Sequence, residues 1–151
     1  MRRITVDAER CAGCRYCELA CSGRHYRFFS PSLSRVTVIK DDHHGLDYPV
    51  FCHQCERCPP EENCPVGALK RVEGCLVVEE GCVGCGLCVE VCGFGAVKLV
   101  EGRPIACDLC GGEPECVKRC PTGALSYLEY DGYEPAKNEL TVLQRRLGIT
   151  G

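Results

Sequence analysis

Tryptophan is absent from this sequence of 151 residues, and only ten residues are phenylalanine or tyrosine. A core filled by aromatic side chains would be thin, so something else must occupy its centre. Long hydrophobic runs are missing too: nothing approaches the roughly 18 consecutive apolar residues of a membrane span. The opening Met1-Arg2-Arg3-Ile4-Thr5-Val6-Asp7 has two basic residues and no apolar stretch behind them, so no signal peptide is expected. Positive charge is scarce. Eighteen Lys and Arg stand against 21 Asp and Glu, for a formal charge of −3, which argues against a nucleic-acid partner. No nucleophile–base set, phosphate loop or substrate-pocket pattern is recognisable, so the chain is not expected to be an enzyme by itself.

Cysteine is what the sequence has in excess. Seventeen in this length leaves three classes: a disulfide scaffold, a zinc protein or an iron–sulfur protein. The disulfide reading needs an oxidising compartment, which the missing signal peptide and the odd cysteine count both oppose. A reducing cytoplasm, where thiols stay available as ligands, is the expected location.

The cysteines fall into four groups. Cys11-x2-Cys14-x2-Cys17-x3-Cys21 has the same spacing as Cys82-x2-Cys85-x2-Cys88-x3-Cys92. Cys52-x2-Cys55-x2-Cys58-x5-Cys64 and Cys107-x2-Cys110-x5-Cys116-x3-Cys120 are variants of it, and only Cys75 is left over. The flanks repeat as well: Cys64-Pro65-Val66-Gly67-Ala68-Leu69 returns as Cys120-Pro121-Thr122-Gly123-Ala124-Leu125, and more loosely as Cys92-Gly93-Phe94-Gly95-Ala96-Val97. Short apolar strands, Glu-Gly turns at 73–74 and 101–102, and returning strands at 76–78 and 103–106 are expected next. Ile4-Thr5-Val6 and Leu125-Ser126-Tyr127-Leu128 read as a further strand pair, and 83–90 as a short helix. The cysteine-free interval 22–51 holds a strand at 35–40 and a polar stretch at 41–45. It reads as a connection and a candidate partner-contact surface. The tail, 131–151, suits a helix.

Three cysteines at x2 intervals on a tight loop can reach three corners of one iron–sulfur cube, with the fourth corner supplied from elsewhere. Soft thiolates suit such clusters. Zinc normally takes two pairs of ligands or adds histidine, and it has no use for a third cysteine two residues on. None of the four histidines is spaced as a zinc partner. The iron–sulfur reading is therefore preferred, with a zinc-stabilised interaction module as the rival from another class. His53, between two cysteines, is read as a neighbour rather than a ligand, and Cys75 as a small buried hydrophobe. His43 and His44 belong to a solvated loop. Sixteen thiolates on four cores of charge about 2+ would take the formal charge from −3 to near −11, and ligation would supply much of the folding free energy.

With these groups, and with Cys14-Arg15-Tyr16-Cys17-Glu18-Leu19-Ala20-Cys21-Ser22 followed by His25 and Ser34-Arg35-Val36-Thr37-Val38, residues 4–128 resemble the four-cluster ferredoxin-like subunits of anaerobic oxidoreductases. The short chain is most similar to the small subunits that accompany aldehyde ferredoxin oxidoreductase-type tungsten enzymes. The resemblance implies an α+β fold of two ferredoxin-like modules around four [4Fe–4S] clusters, one module inserted in the other. The outer module would be 1–50 and 101–130, with 22–51 as its connection, and the inner one 52–100. It also implies crossed ligation: Cys11, Cys14, Cys17 with Cys120; Cys52, Cys55, Cys58 with Cys92; Cys82, Cys85, Cys88 with Cys64; and Cys107, Cys110, Cys116 with Cys21. The implied role is single-electron relay between a larger tungstopterin or molybdopterin subunit, in the first place a tungstopterin aldehyde oxidoreductase, and a flavin-containing subunit or soluble ferredoxin. A wiring subunit of a hydrogenase, formate or carbon monoxide dehydrogenase complex is the alternative, as is a free polyferredoxin. The chain departs from the usual pattern in the x2 and x5 gaps around Cys58, and in lacking proline after Cys21 and Cys92.

Overall fold

Two hairpins, the second of which crosses the expected boundary between inner and outer modules at residue 100, are closed by turns whose two central residues are both left-handed. Glu73 and Gly74 (φ 51° and 84°) join β4 (Leu69–Val72) to β5 (Cys75–Val78). Glu101 and Gly102 (φ 50° and 77°) join β6 (Lys98–Val100) to β7 (Arg103–Ile105). Two positive φ values in a two-residue loop match the right-handed twist of the flanking strands, which is why such tight hairpins form. Residues 2–129 are described by a computed structural model; the helix expected at 131–151 lies outside them.

The two ends of this stretch pair with each other. β1 (Arg2–Val6) runs antiparallel to β8 (Leu125–Glu129), with Ile4 opposite Tyr127 and Val6 opposite Leu125, as their apolar patterns predict. A third hairpin, β2 (Thr37–Asp41) with β3 (Leu46–Val50), lies inside the supposed connection. The polar stretch 41–45 is its turn. Its second strand was hard to foresee because Leu46-Asp47-Tyr48-Pro49-Val50 has no clean alternation and carries a proline, a residue confined to strand edges and bulges.

Short helices cover these hairpins in pairs. α1 (Tyr16–Tyr26) packs on α4 (Glu115–Arg119), and α2 (Pro59–Glu62) on α3 (Leu87–Val91). The helix expected over 83–90 is confined to Leu87–Val91, because Gly84 and Gly86 (φ 70° and 79°) hold the preceding loop in a left-handed form. α2 fills most of the x5 gap between Cys58 and Cys64 and begins on Pro59-Pro60, whose fixed φ suits a first helical turn.

Cysteines sit inside the apolar core rather than around it. One cluster joins Ile4, Val36, Val38, Phe51, Leu109 and Leu125 to Cys17, Cys21, Cys107 and Cys116. A second joins Leu69, Leu76, Val97 and Ala106 to Cys88, with Cys58, Cys64 and Cys92 packed against it. Tyr48, Val50 and Ala96 form a third, against which both Cys52 and Cys92 pack. Among the described residues no helix is long and apolar enough to cross a membrane.

Candidate metal centres

The four cysteine loops share one backbone device. The residue just before the second cysteine of each group is left-handed: Gly13 (φ 65°), Gln54 (47°), Gly84 (70°) and Leu109 (56°). This turn reverses the chain between the first two thiols so that both can face the same point. At Gly84 no side chain could be accommodated, since a Cβ would stand 2.6 Å from the Gly102 carbonyl oxygen. Gln54 and Leu109 adopt the same conformation against the usual cost of about 1 kcal/mol or more for an L-residue. The flanks match too: Gly67, Gly95 and Gly123 (φ 63°, 65° and 69°) each donate N–H to the carbonyl of the preceding group cysteine, at 3.2, 3.2 and 3.4 Å.

The loops do not close on themselves. Cys21, Cys107, Cys110 and Cys116 line one cavity. Cys64, Cys82, Cys85 and Cys88 line another. Cys52, Cys55, Cys58 and Cys92 line a third, wider hollow that opens past Arg57 and Pro59. Cys14 and Cys120 both lie close enough to Cys11 to act on its charge, and Cys11 and Cys14 act likewise on Cys17. Each foursome thus joins three cysteines of one group to one cysteine of another. Cys75 lines none of these three hollows and is partly buried against the Ile4 core.

Burial raises several of the loop thiols. Burial pushes Cys17 and Cys52 up to about 12, with neighbouring acidic groups adding to it, and raises Cys107 and Cys116 strongly. Three of the visiting cysteines, Cys64, Cys120 and Cys21, are lowered instead. At Cys64 backbone N–H groups, led by that of Val66, lower the thiol. At Cys120 burial works upward but the N–H groups of Leu125, Thr122 and Ala124 prevail. Cys21 is also lowered against its burial, by hydrogen bonds from His25 and from the Arg35 backbone N–H (N to Sγ 3.2 Å). A positively charged group that took up the protons' place would relieve the raised thiols, and Cys21, Cys64 and Cys120 would give up their protons more readily.

Several residues that matter here were not singled out from sequence. Asp108, between Cys107 and Cys110, accepts from His25 Nε2 (2.9 Å) and pairs with Arg35 (3.0 Å). Glu18 is buried on α1 and accepts from the Val38 N–H at 2.7 Å, fixing α1 to β2. His25 and Ser34-Arg35 stood in the quoted motif, but nothing in the motif says that they meet. His53 packs its ring against Phe94 (centroids 4.2 Å apart) beside the Cys52 hollow, and burial lowers it to about 4, so it is neutral at neutral pH. His43 and His44 are exposed in the β2–β3 turn, as expected.

The donor set fits an iron–sulfur group. All seventeen cysteines are free thiols, and each of the four foursomes is purely sulfur, the soft set that suits such clusters. Backbone N–H groups already point at Cys21, Cys64, Cys82 and Cys107. Arg35, which lines the Cys21 cavity, keeps a buried Nε–H with no acceptor among the described residues.

Known proteins bear on this arrangement. A family model described as a 4Fe–4S binding domain matches residues 76–98, which contain Cys82, Cys85, Cys88 and Cys92. The chain is 39% identical over 89 residues to the polyferredoxin-like subunit of aliphatic sulfonate oxidoreductase from Pyrococcus furiosus, an overlap of 57% of this chain and 51% of that protein. It is 38% identical over 96 residues to the electron transport protein HydN of Escherichia coli K12, covering 58% of this chain and 54% of HydN. Over 88 residues it is 38% identical to formate hydrogenlyase subunit 2 of the same organism, covering 58% and 42%. The match therefore spans about half the length of these curated relatives. Among solved structures, a chain of the active-site complex BamBC of benzoyl coenzyme A reductase is 30% identical, with a TM-score of 0.53, over 97% of this chain and 88% of that one.

Proposed function

Because the chain belongs to the ferredoxin-like 4Fe–4S electron-transport proteins, we propose that it holds four [4Fe–4S] clusters as a relay for single electrons within an oxidoreductase complex. The proposed ligand sets are Cys11, Cys14, Cys17 and Cys120; Cys107, Cys110, Cys116 and Cys21; Cys52, Cys55, Cys58 and Cys92; and Cys82, Cys85, Cys88 and Cys64. Each cluster, when bound, accepts and returns one electron. The chain's part is to space the sites, keep water from them and set their potentials.

The observation that carries the proposal is the order in which the foursomes adjoin. Cys17 acts on Cys116, which links the first set to the second. Cys52 acts on Cys107, which links the second to the third. Cys58 and Cys92 of the third set share a core with Cys64 and Cys88 of the fourth. The chain order of the groups is thus rearranged into a line. Its two end sets contain Cys14 and Cys85, the two exposed cysteines of the protein. A line with an exposed cysteine in each of its end sets suits a relay between two partners. The same pairing supports nested modules, since α1, α4, β1 and β8 surround the first two sets, and α2, α3 and the β4–β5 and β6–β7 hairpins the last two.

For the catalytic partner we favour a tungstopterin aldehyde oxidoreductase-type subunit. Support for an oxidoreductase partner comes from the likeness to the sulfonate oxidoreductase subunit and to BamBC. The likeness to formate hydrogenlyase subunit 2 favours a second reading, a hydrogenase-type wiring subunit. Phe28 and Phe29 are 63% and 74% exposed in the 22–51 stretch, beside exposed Arg24 and Arg27. Aromatic and arginine side chains together suit a partner contact there. Anaerobic copurification from the native host, with metal analysis of the partner, tests the pair: tungsten with pterin supports the first reading, nickel the second. A lone chain of full electron-transfer competence contradicts both.

A further inference from the structure

Three side chains from distant parts of the sequence converge on the foursome of Cys21, Cys107, Cys110 and Cys116. His25 leaves the last turn of α1, Arg35 precedes β2, and Asp108 sits between two of the four cysteines. His25 Nδ1 lies 2.9 Å from the Cys21 carbonyl oxygen, and Nε2 lies 2.9 and 3.0 Å from the two Asp108 oxygens. Both partners accept only, so both ring nitrogens must carry hydrogen and the ring is an imidazolium. Arg35 closes the set: its Nη1 donates to Asp108 (3.0 Å) and to the Ala106 carbonyl (3.3 Å), while its backbone N–H donates to Cys21 Sγ. Asp108 in turn accepts from the Cys110 N–H at 2.9 Å.

His25, Asp108 and Cys110 bring ligand atoms within 4.8 Å of one another, a spacing that would admit a separate metal ion. The geometry opposes it, because both nitrogens of His25 are already donating. Two cations and one anion leave the group with a single net positive charge, and it stands beside one foursome of the four. His25 Nδ1 is 3.8 Å from Cys21 Sγ. Reduction of a cluster adds one negative charge, so a fixed positive charge and donors aimed at its sulfur favour the reduced form.

We propose that His25, Arg35 and Asp108 form a built-in charge group whose role is to raise the reduction potential of the cluster held by Cys21, Cys107, Cys110 and Cys116, making that second member of the line its electron-holding point. The proposal rests on the reading that those four cysteines share one cluster. His25 and Arg35 are positioning residues: they act through Cys21 and need not touch an electron partner.

The test is an anaerobic redox titration of the full chain followed by electron paramagnetic resonance, on the wild type and on His25→Gln, Arg35→Gln, Arg35→Lys and His44→Gln. His25→Gln and Arg35→Gln should each lower the same single couple by about tenfold in its one-electron equilibrium, or about 59 mV, with iron per chain unchanged. Arg35→Lys should restore it, and His44→Gln, in the exposed turn, should leave every couple in place. Should His25→Gln shed iron, Arg35→Gln decides, since its backbone N–H still donates to Cys21. Full iron with all couples unmoved in that variant overturns the proposal alone. A wild-type chain without a cluster at Cys21, Cys107, Cys110 and Cys116 overturns the underlying reading as well.

Discussion

A thiol in an apolar core has no reason to ionise, yet a thiolate is what a metal requires. The protein divides this problem between two kinds of cysteine. Loop members such as Cys17 and Cys52 are raised by burial, whereas Cys21, Cys64 and Cys120 are met by donors that favour the thiolate. Cys75 belongs to neither kind. It begins β5, is only partly buried, and is raised first by burial. Cys75→Ala should therefore keep all bound iron and cost about 1 kcal/mol or less of stability. Cys17→Ala should remove or convert one cluster and lower the thermal midpoint, because it deletes a ligand from the core shared with Cys21 and Cys116. Iron analysis beside thermal unfolding separates the two variants. At this scale the sequence was readable where chemistry repeats, as in the cysteines. It was silent where residues 83 positions apart meet, as His25 and Asp108 do, because nothing local marks such a pair.

The recurrent element is the left-handed turn before each second cysteine. Glycine stands at that position in two of the loops, whereas Gln54 and Leu109 in the others carry no local sign of it. Tertiary contacts hold those two: Leu109 is buried in the Ile4 core, and Gln54 is buried with its side-chain amide donating to the Cys107 carbonyl. The β2–β3 hairpin was hidden for a different reason, since a proline and an aspartate spoil the period of its second strand. By contrast, the Glu-Gly hairpins and the β1–β8 pair were written in apolar alternation and turn chemistry. Gly84→Ala should combine left-handed strain with a clash against the Gly102 carbonyl, destabilising by about 2 kcal/mol or more. A lower midpoint for loss of visible absorbance on heating would be its signature. Gly67→Ala, at a left-handed position with open space around its Cβ, should cost only the strain, about 1–2 kcal/mol.

Across the whole molecule, aromatic mass is replaced by sulfur. The largest core cluster has four cysteines among its buried members, so the folded chain and its metal content should be lost together. Iron chelation under reducing, anaerobic conditions should unfold the chain cooperatively, seen as loss of far-ultraviolet circular dichroism in step with iron release. The resemblance implied the pairing of the first group with the fourth and of the second with the third; the proposed line from Cys14 to Cys85 adds the order in which the two pairs adjoin. The most direct measurement of the central claim is iron, zinc and acid-labile sulfide per chain on protein purified without oxygen. Four [4Fe–4S] clusters require about 16 iron and 16 sulfide in a brown sample. About four zinc, no sulfide and a colourless protein would contradict the relay and leave a zinc-stabilised module in its place.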